Sequence, residues 1–98
     1  MKVETDPRVD KELRKLSKKD LAKVVSIIEI FEESGFDVTE KHLKKLRQNL
    51  WELRTGRWRL LFGLVNGKAI IVEAFIKKSQ RIPIKELKIA QRRLNEYI

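Results

Sequence analysis

The chain has 98 residues, 42% of them apolar, enough for one domain around a modest core and too many for disorder. Its 23 Lys and Arg outweigh 14 Asp and Glu, and the formal charge of +9 suits nucleic acid or an acidic protein as partner. The lack of cysteine excludes disulfides, thiolate metal sites and cysteine nucleophiles, and no apolar run is long enough to span a bilayer.

Met1 to Asp6 contains no apolar stretch of the secretory kind, so a cytoplasmic protein with no membrane role is expected. Asp6-Pro7 opens a helix, with Asp as N-cap and Pro in the first turn, and Val9, Leu13 and Leu16 follow at helical spacing. Ser17 caps a second helix, with Asp20 at its third position. Leu21, Val24, Val25, Ile28 and Phe31 are expected on one face of it, and Gly35 ends it. Residues 36–47 read as a connector with room for one helical turn. It is dense in Lys41, His42, Lys44, Lys45 and Arg47.

From there the period drops to two. Leu50 to Arg54 reads as a strand, Thr55-Gly56 as its turn, and Arg57 to Val65 as the next strand. Asn66-Gly67 predicts a type I′ hairpin, because both residues tolerate positive φ, and Lys68 to Ile76 returns. Pro83, in a first turn, opens a C-terminal helix with Leu87, Ala90, Leu94 and Tyr97 on one side.

Regular pairing back from that hairpin sets Val65 against Lys68, Phe62 against Ile71, Leu60 against Glu73 and Trp58 against Phe75. Alternation then predicts an apolar wall of Trp58, Leu60, Phe62, Leu64, Ile71 and Phe75 for the N-terminal helices to cover. The other face holds Arg57, Arg59, Leu61, Gly63, Ile70, Val72 and Ala74, and is cationic at one end. The expected fold is α+β: two N-terminal helices packed on a small twisted antiparallel sheet, then a C-terminal helix, all within one domain over residues 1–98.

Three blocks stand in order: Lys45-Leu46-Arg47-Gln48-Asn49-Leu50-Trp51-Glu52-Leu53-Arg54, Trp58-Arg59-Leu60, and Phe75-Ile76-Lys77-Lys78-Ser79-Gln80-Arg81-Ile82-Pro83, with Glu86-Leu87 and Ala90 beyond. This ordered set resembles the RelE/HigB toxin superfamily, in particular its phage-derived HigB-like branch, over Lys45 to Tyr97. The resemblance implies a RelE-like fold and the toxin role in a type II toxin–antitoxin system. It also implies cleavage of mRNA, often at the ribosome, and silencing by a cognate antitoxin, commonly a helix-turn-helix protein. Two departures stand out. Only Met1 to Thr5 precede the first helix, so the family's first strand is short here. Some relatives use a tyrosine or a histidine in catalysis, whereas the single Tyr97 and the single His42 stand elsewhere.

Cutting RNA through its own 2′-hydroxyl requires in-line alignment, removal of one proton, stabilisation of a pentavalent phosphorane and protonation of the leaving oxygen. Fixed cations are therefore the first requirement, and arginine suits phosphate through its planar fork. Arg59 is the leading candidate for the scissile phosphate. Arg54 either joins it or forms a structural ion pair with Glu52 or Glu73. The resemblance places Lys77 and Lys78 at the rim of the site, Lys78 the more strongly, as acid or base. Lys41, Lys44, Lys45 and Arg47, with Arg57 and Arg81, are candidates for tracking the RNA backbone.

Histidine is a common acid or base in catalysis, but a lone histidine in a connector, as His42 is, is more often incidental. Trp58 reads as core, and Trp51 is open between core and base stacking. No residue spacing suggests a metal, and no cofactor is expected. The leading function is a metal-independent endoribonuclease toxin. The alternatives are a RelE/ParE-fold toxin that acts by binding alone and a plain basic RNA-binding domain. A basic groove would suit an antitoxin with an acidic contact segment.

Overall fold

In the computed structural model, which describes residues 1–98, Asp6 caps helix α1 (Pro7–Leu13) by accepting from the Arg8 backbone N–H at 2.8 Å. Ser17 Oγ caps helix α2 (Lys18–Ser34) by accepting from Asp20 N at 3.1 Å, and Gly35, at φ 55°, ends it. Val24, Ile27 and Phe31 are the buried residues of α2. Val25, expected among them, is exposed, because the stripe that reaches the sheet advances by three and four residues and leaves Val25 on its flank.

Strands β1 (Lys2–Thr5), β2 (Leu43–Arg47), β3 (Leu50–Thr55), β4 (Trp58–Val65) and β5 (Lys68–Ile76) form one sheet in the order β1-β5-β4-β3-β2. β1 and β2 are thus opposite edges, and α1 and α2 carry the chain across one face between them. β1 runs parallel to β5, so the sheet is mixed rather than wholly antiparallel. The expected connector is only partly one: after a short 3₁₀ turn (Gly35–Asp37), residues 43–47 are the edge strand β2. Its return to β3 uses Asn49 at φ 53°, and the Asn49 amide pairs with both Leu64 N–H and Leu64 C=O. A run of basic residues hid this strand, because an edge strand needs few apolar side chains.

The Asn66-Gly67 turn forms as expected, with φ of 52° and 77°. The register from it holds for Val65–Lys68 and Phe62–Ile71 and then slips: Leu61 pairs with Glu73, Leu60 with Ala74, Arg59 with Phe75 and Trp58 with Ile76. A β-bulge at Val72 adds one residue to β5, and every later side chain on that strand changes face. Phe75 therefore leaves the expected wall, and Ala74 joins it.

The wall proper is Leu53, Leu60, Phe62, Ala69 and Ile71, packed under Val9, Leu13, Val24, Ile27 and Phe31. The second face is not open throughout. Helix α3 (Ile84–Asn95), which begins one residue after Pro83, lays Ala90 and Leu94 on Leu50, Leu61, Ile70 and Val72. Each fully buried Leu or Phe contributes about 1.5–3 kcal/mol, so both layers are firmly anchored. Gly63 lets α3 approach: a Cβ there would stand 2.5 Å from Leu94 Cδ2 and 2.8 Å from the Asn49 carbonyl oxygen. What α3 leaves uncovered is the end of the second face nearest β2 and the β3–β4 turn.

Candidate basic site on the uncovered sheet face

Two cross-strand rows place charged side chains on this second face. Lys44 stands opposite Glu52, Glu52 opposite Leu61, and Arg54 opposite Arg59. Two guanidinium groups side by side repel, and Glu52 offsets them from the neighbouring row. Glu52 is fully buried. Its Oε1 accepts from Arg54 Nε at 2.6 Å, and its Oε2 faces Arg59 Nε at 4.0 Å. Neither that oxygen nor that nitrogen has another partner. A lone buried carboxylate would be costly, and the two adjacent cations offset that cost.

Arg54 thus fills both roles considered for it. It pairs with Glu52, yet it also lines a hollow of about 270 Å³ with Lys44, Arg47, Lys77, Gln80 and Arg81. Five expected site residues therefore meet in one place: Lys44, Arg47, Arg54, Lys77 and Arg81. Lys77 is held there by its backbone N–H, which donates to the Arg57 carbonyl at 2.8 Å.

The others lie elsewhere. Arg59 does not line this hollow. Its Nη1 donates to the carbonyls of Gly56 and Trp58 at 2.8 and 2.9 Å, which turns the guanidinium into the β3–β4 turn. Burial lowers the Arg59 pKa from its ordinary value. Glu52 opposes that shift, and Arg54 adds to it. Lys78 lines a separate cleft of about 540 Å³ beside α3. Arg57 is exposed on the α2 side with Asp20 and Lys23. Lys41 is exposed ahead of β2, and Lys45 lies on the helix-covered face, 5.4 Å over the Trp51 ring.

His42 and Tyr97 are both engaged. His42 Nδ1 is 3.1 Å from the Arg54 carbonyl oxygen, and the residue lines a groove against α2. The Tyr97 hydroxyl donates to buried Asp6 at 2.7 Å.

Sequence reasoning missed two features. One is Glu52 as an anchor for Arg59 as well as for Arg54, which depends on the β3–β4 pairing. The other is the placement of Glu73 and Glu86 in one cleft beside α3, which depends on the bulge. Burial pushes Glu73 up to about 7, and the Glu86 carboxyl adds to the rise. The Ala74 N–H and Arg93, at 3.3 Å, pull the other way.

The family model for phage-derived Gp49-like proteins matches residues 11–95. No curated protein matches the sequence. Among solved structures, the archaeal RelE–RelB complex from Pyrococcus horikoshii OT3 matches with a TM-score of 0.68 at 20% identity, over 79% of this chain and 94% of the other. The toxin–antitoxin complex RelBE2 from Mycobacterium tuberculosis matches at 0.62 and 21%, over 78% and 96%. The isolated E. coli RelE toxin matches at 0.62 and 14%, over 93% and 97%. The property shared with these structures is the fold.

Proposed function

The chain belongs to the Gp49-like family of phage-derived proteins, and from that membership and its RelE fold we propose that it is the toxin of a toxin–antitoxin pair, an endoribonuclease that cuts mRNA without a metal. The observation that carries this reading is the convergence of Lys44, Arg47, Arg54, Lys77 and Arg81 on one hollow of the uncovered sheet face. Arg54 and Arg81 grip the scissile phosphate, and charge that builds on its oxygens meets cations already fixed in place. Glu52 is a positioning residue that sets the Arg54 fork. The substrate 2′-hydroxyl attacks phosphorus and loses its proton to a water molecule, the bond to the 5′ oxygen breaks, and Lys77 gives the proton that the departing 5′ oxygen needs. Arg59 acts from beneath as a fixed positive charge beside Arg54.

The antitoxin reading is supported by the RelE–RelB complex from Pyrococcus horikoshii and the RelBE2 complex from Mycobacterium tuberculosis among the similar structures, and by the charge of +9. An acidic segment laid in the basic hollow would displace RNA, and a helix-turn-helix protein is the expected carrier of it. The substrate is mRNA, engaged at the ribosome.

Brief induction of the chain without its antitoxin, followed by sequencing of RNA ends, tests the proposal. New cuts in mRNA bearing 2′,3′-cyclic phosphates, formed equally in the presence of a chelator, are the expected result. Growth arrest with intact RNA would overturn it. That outcome would favour a toxin acting by binding alone, the reading supported by the engagement of His42 and Tyr97 in structural contacts.

A further inference from the structure

A second hollow, of about 590 Å³, lies at the same sheet edge on the opposite face, and Lys44 and Arg54 line both. Its wall is aromatic. Lys45, Trp51 and Phe62 form one cross-strand row, so Trp51 has Phe62 on its β4 flank and Lys45 on its β2 flank. The Phe62 ring stacks on the indole at 5.7 Å and 16°, and Phe62 in turn meets Phe31 at 4.8 Å. Phe36, 42% exposed, meets Trp51 edge to face, with centroids 5.3 Å apart and ring planes at 61°. On the β2 flank, away from this stack, the Lys45 ammonium stands 5.4 Å from the indole centroid.

We propose that this hollow binds one unpaired RNA base, stacked on the Lys45 side of Trp51 with Phe36 at its edge. The inference deepens the RNA-cleaving reading and rests on it. An aromatic shelf recognises the π-face that every base has, and a flexible lysine above the shelf can move aside to the adjoining phosphate. Lys44 and Arg54 span the rim between the two hollows, where the sugar-phosphate backbone would cross from base to phosphate grip. Glu40 also lines the aromatic hollow. Its carboxylate repels phosphate and accepts from amino groups of a base, so base inward and phosphate outward is the favoured orientation.

Trp51 and Trp58 are the only tryptophans, so a Trp58→Phe protein reports Trp51 fluorescence alone. Titration uses a tetranucleotide 2′-O-methylated throughout, which its own hydroxyls cannot cut, and inorganic tripolyphosphate as a charge control. Stacking predicts quenching of Trp51 by the oligonucleotide and not by tripolyphosphate. Phe36→Ser, at an exposed position, is expected to weaken oligonucleotide binding about tenfold while leaving tripolyphosphate binding unchanged. In otherwise wild-type protein, Trp51→Phe is expected to keep most of the affinity that Trp51→Leu loses. Oligonucleotide binding without quenching and indifferent to Phe36→Ser would overturn the base site and leave the RNA reading intact. Absence of oligonucleotide binding would overturn both.

Discussion

The Tyr97 hydroxyl donates to Asp6 Oδ2 at 2.7 Å and so joins the tail of the last helix to the cap of the first. Arg8 completes the latch, reaching Asp6 at 2.8 Å and Glu96 at 2.7 Å. Arg8 is the main reason the Asp6 carboxyl stays well below the usual carboxylate range, and Tyr97 adds to this against the cost of burial. A depressed carboxyl stabilises the fold fully above its unfolded pKa of 3.8, and that stability drains away as pH falls through the folded value. Tyr97→Phe is expected to lower stability by about 1–2 kcal/mol, since a hydrogen bond to a charged group is lost. Chemical denaturation measures that loss, and RNA cleavage per folded molecule should stay unchanged. A cleavage defect beyond the folding loss would return Tyr97 to the chemistry.

At the basic hollow, Lys77→Ala and Arg81→Ala are each expected to slow RNA cleavage by about 10²-fold, the scale for loss of one fixed charge at a developing anion. Lys78→Ala and Arg57→Ala, outside the hollow, are expected to stay within about twofold. Arg81→Ala should also flatten the dependence of log affinity on log salt by about 0.7, the value for one phosphate contact on a single strand. Single-turnover cleavage and binding at several salt concentrations measure both effects, and equal defects in all four variants would defeat the assignment.

Glu52 is the one anion between Arg54 and Arg59, so Glu52→Gln is expected to cost about 3 kcal/mol, typical of breaking a buried ion pair. A double-mutant cycle with Arg54→Met is expected to show coupling of about 1–3 kcal/mol. Urea denaturation of the four proteins provides it, and additivity would mean that the 2.6 Å contact is energetically idle.

Gly63→Ala forces a methyl against Leu94 and the Asn49 carbonyl. Leu94 can turn, but the carbonyl is backbone held by the β2–β3 turn, so strain of about 1–3 kcal/mol is expected. With ~4–8 °C per kcal/mol in a domain of this size, thermal unfolding resolves the effect easily. The matching change in hydrogen exchange should appear in α3 and not in α2.

Glu73 supplies the pH signature. Its folded pKa of about 7 lies above the ordinary 4.5, so the native state binds the extra proton between those values. Stability from this group is greatest below about pH 4.5, declines as pH rises towards 7, and is flat above. Glu86→Gln removes the neighbouring charge and offers an amide donor to Glu73. It is expected to raise stability at pH 8 by about 1 kcal/mol and to shrink the decline. Unfolding curves at pH 5 and pH 8 decide this, and an unchanged difference between them would show that Glu86 does not govern Glu73.

Local chemistry alone determined much of this protein. Asp6-Pro7, Ser17 and Gly35 bounded the first two helices, because capping uses atoms within a few residues. Asn66-Gly67 set the central hairpin for the same reason, and the ordered motifs from Lys45 to Tyr97 pointed to the RelE fold. Tertiary structure decided the rest. The Val72 bulge is invisible to a period-two pattern, yet it moves Phe75 to the α3 face and Glu73 into line with Leu61. Lys77 and Arg81 became neighbours of Arg54, and Lys78 did not, only because α3 covers one half of a sheet face and leaves the other bare. Spacing along a chain cannot report which cations share a hollow, since that depends on long-range packing of a helix that starts after the last strand ends.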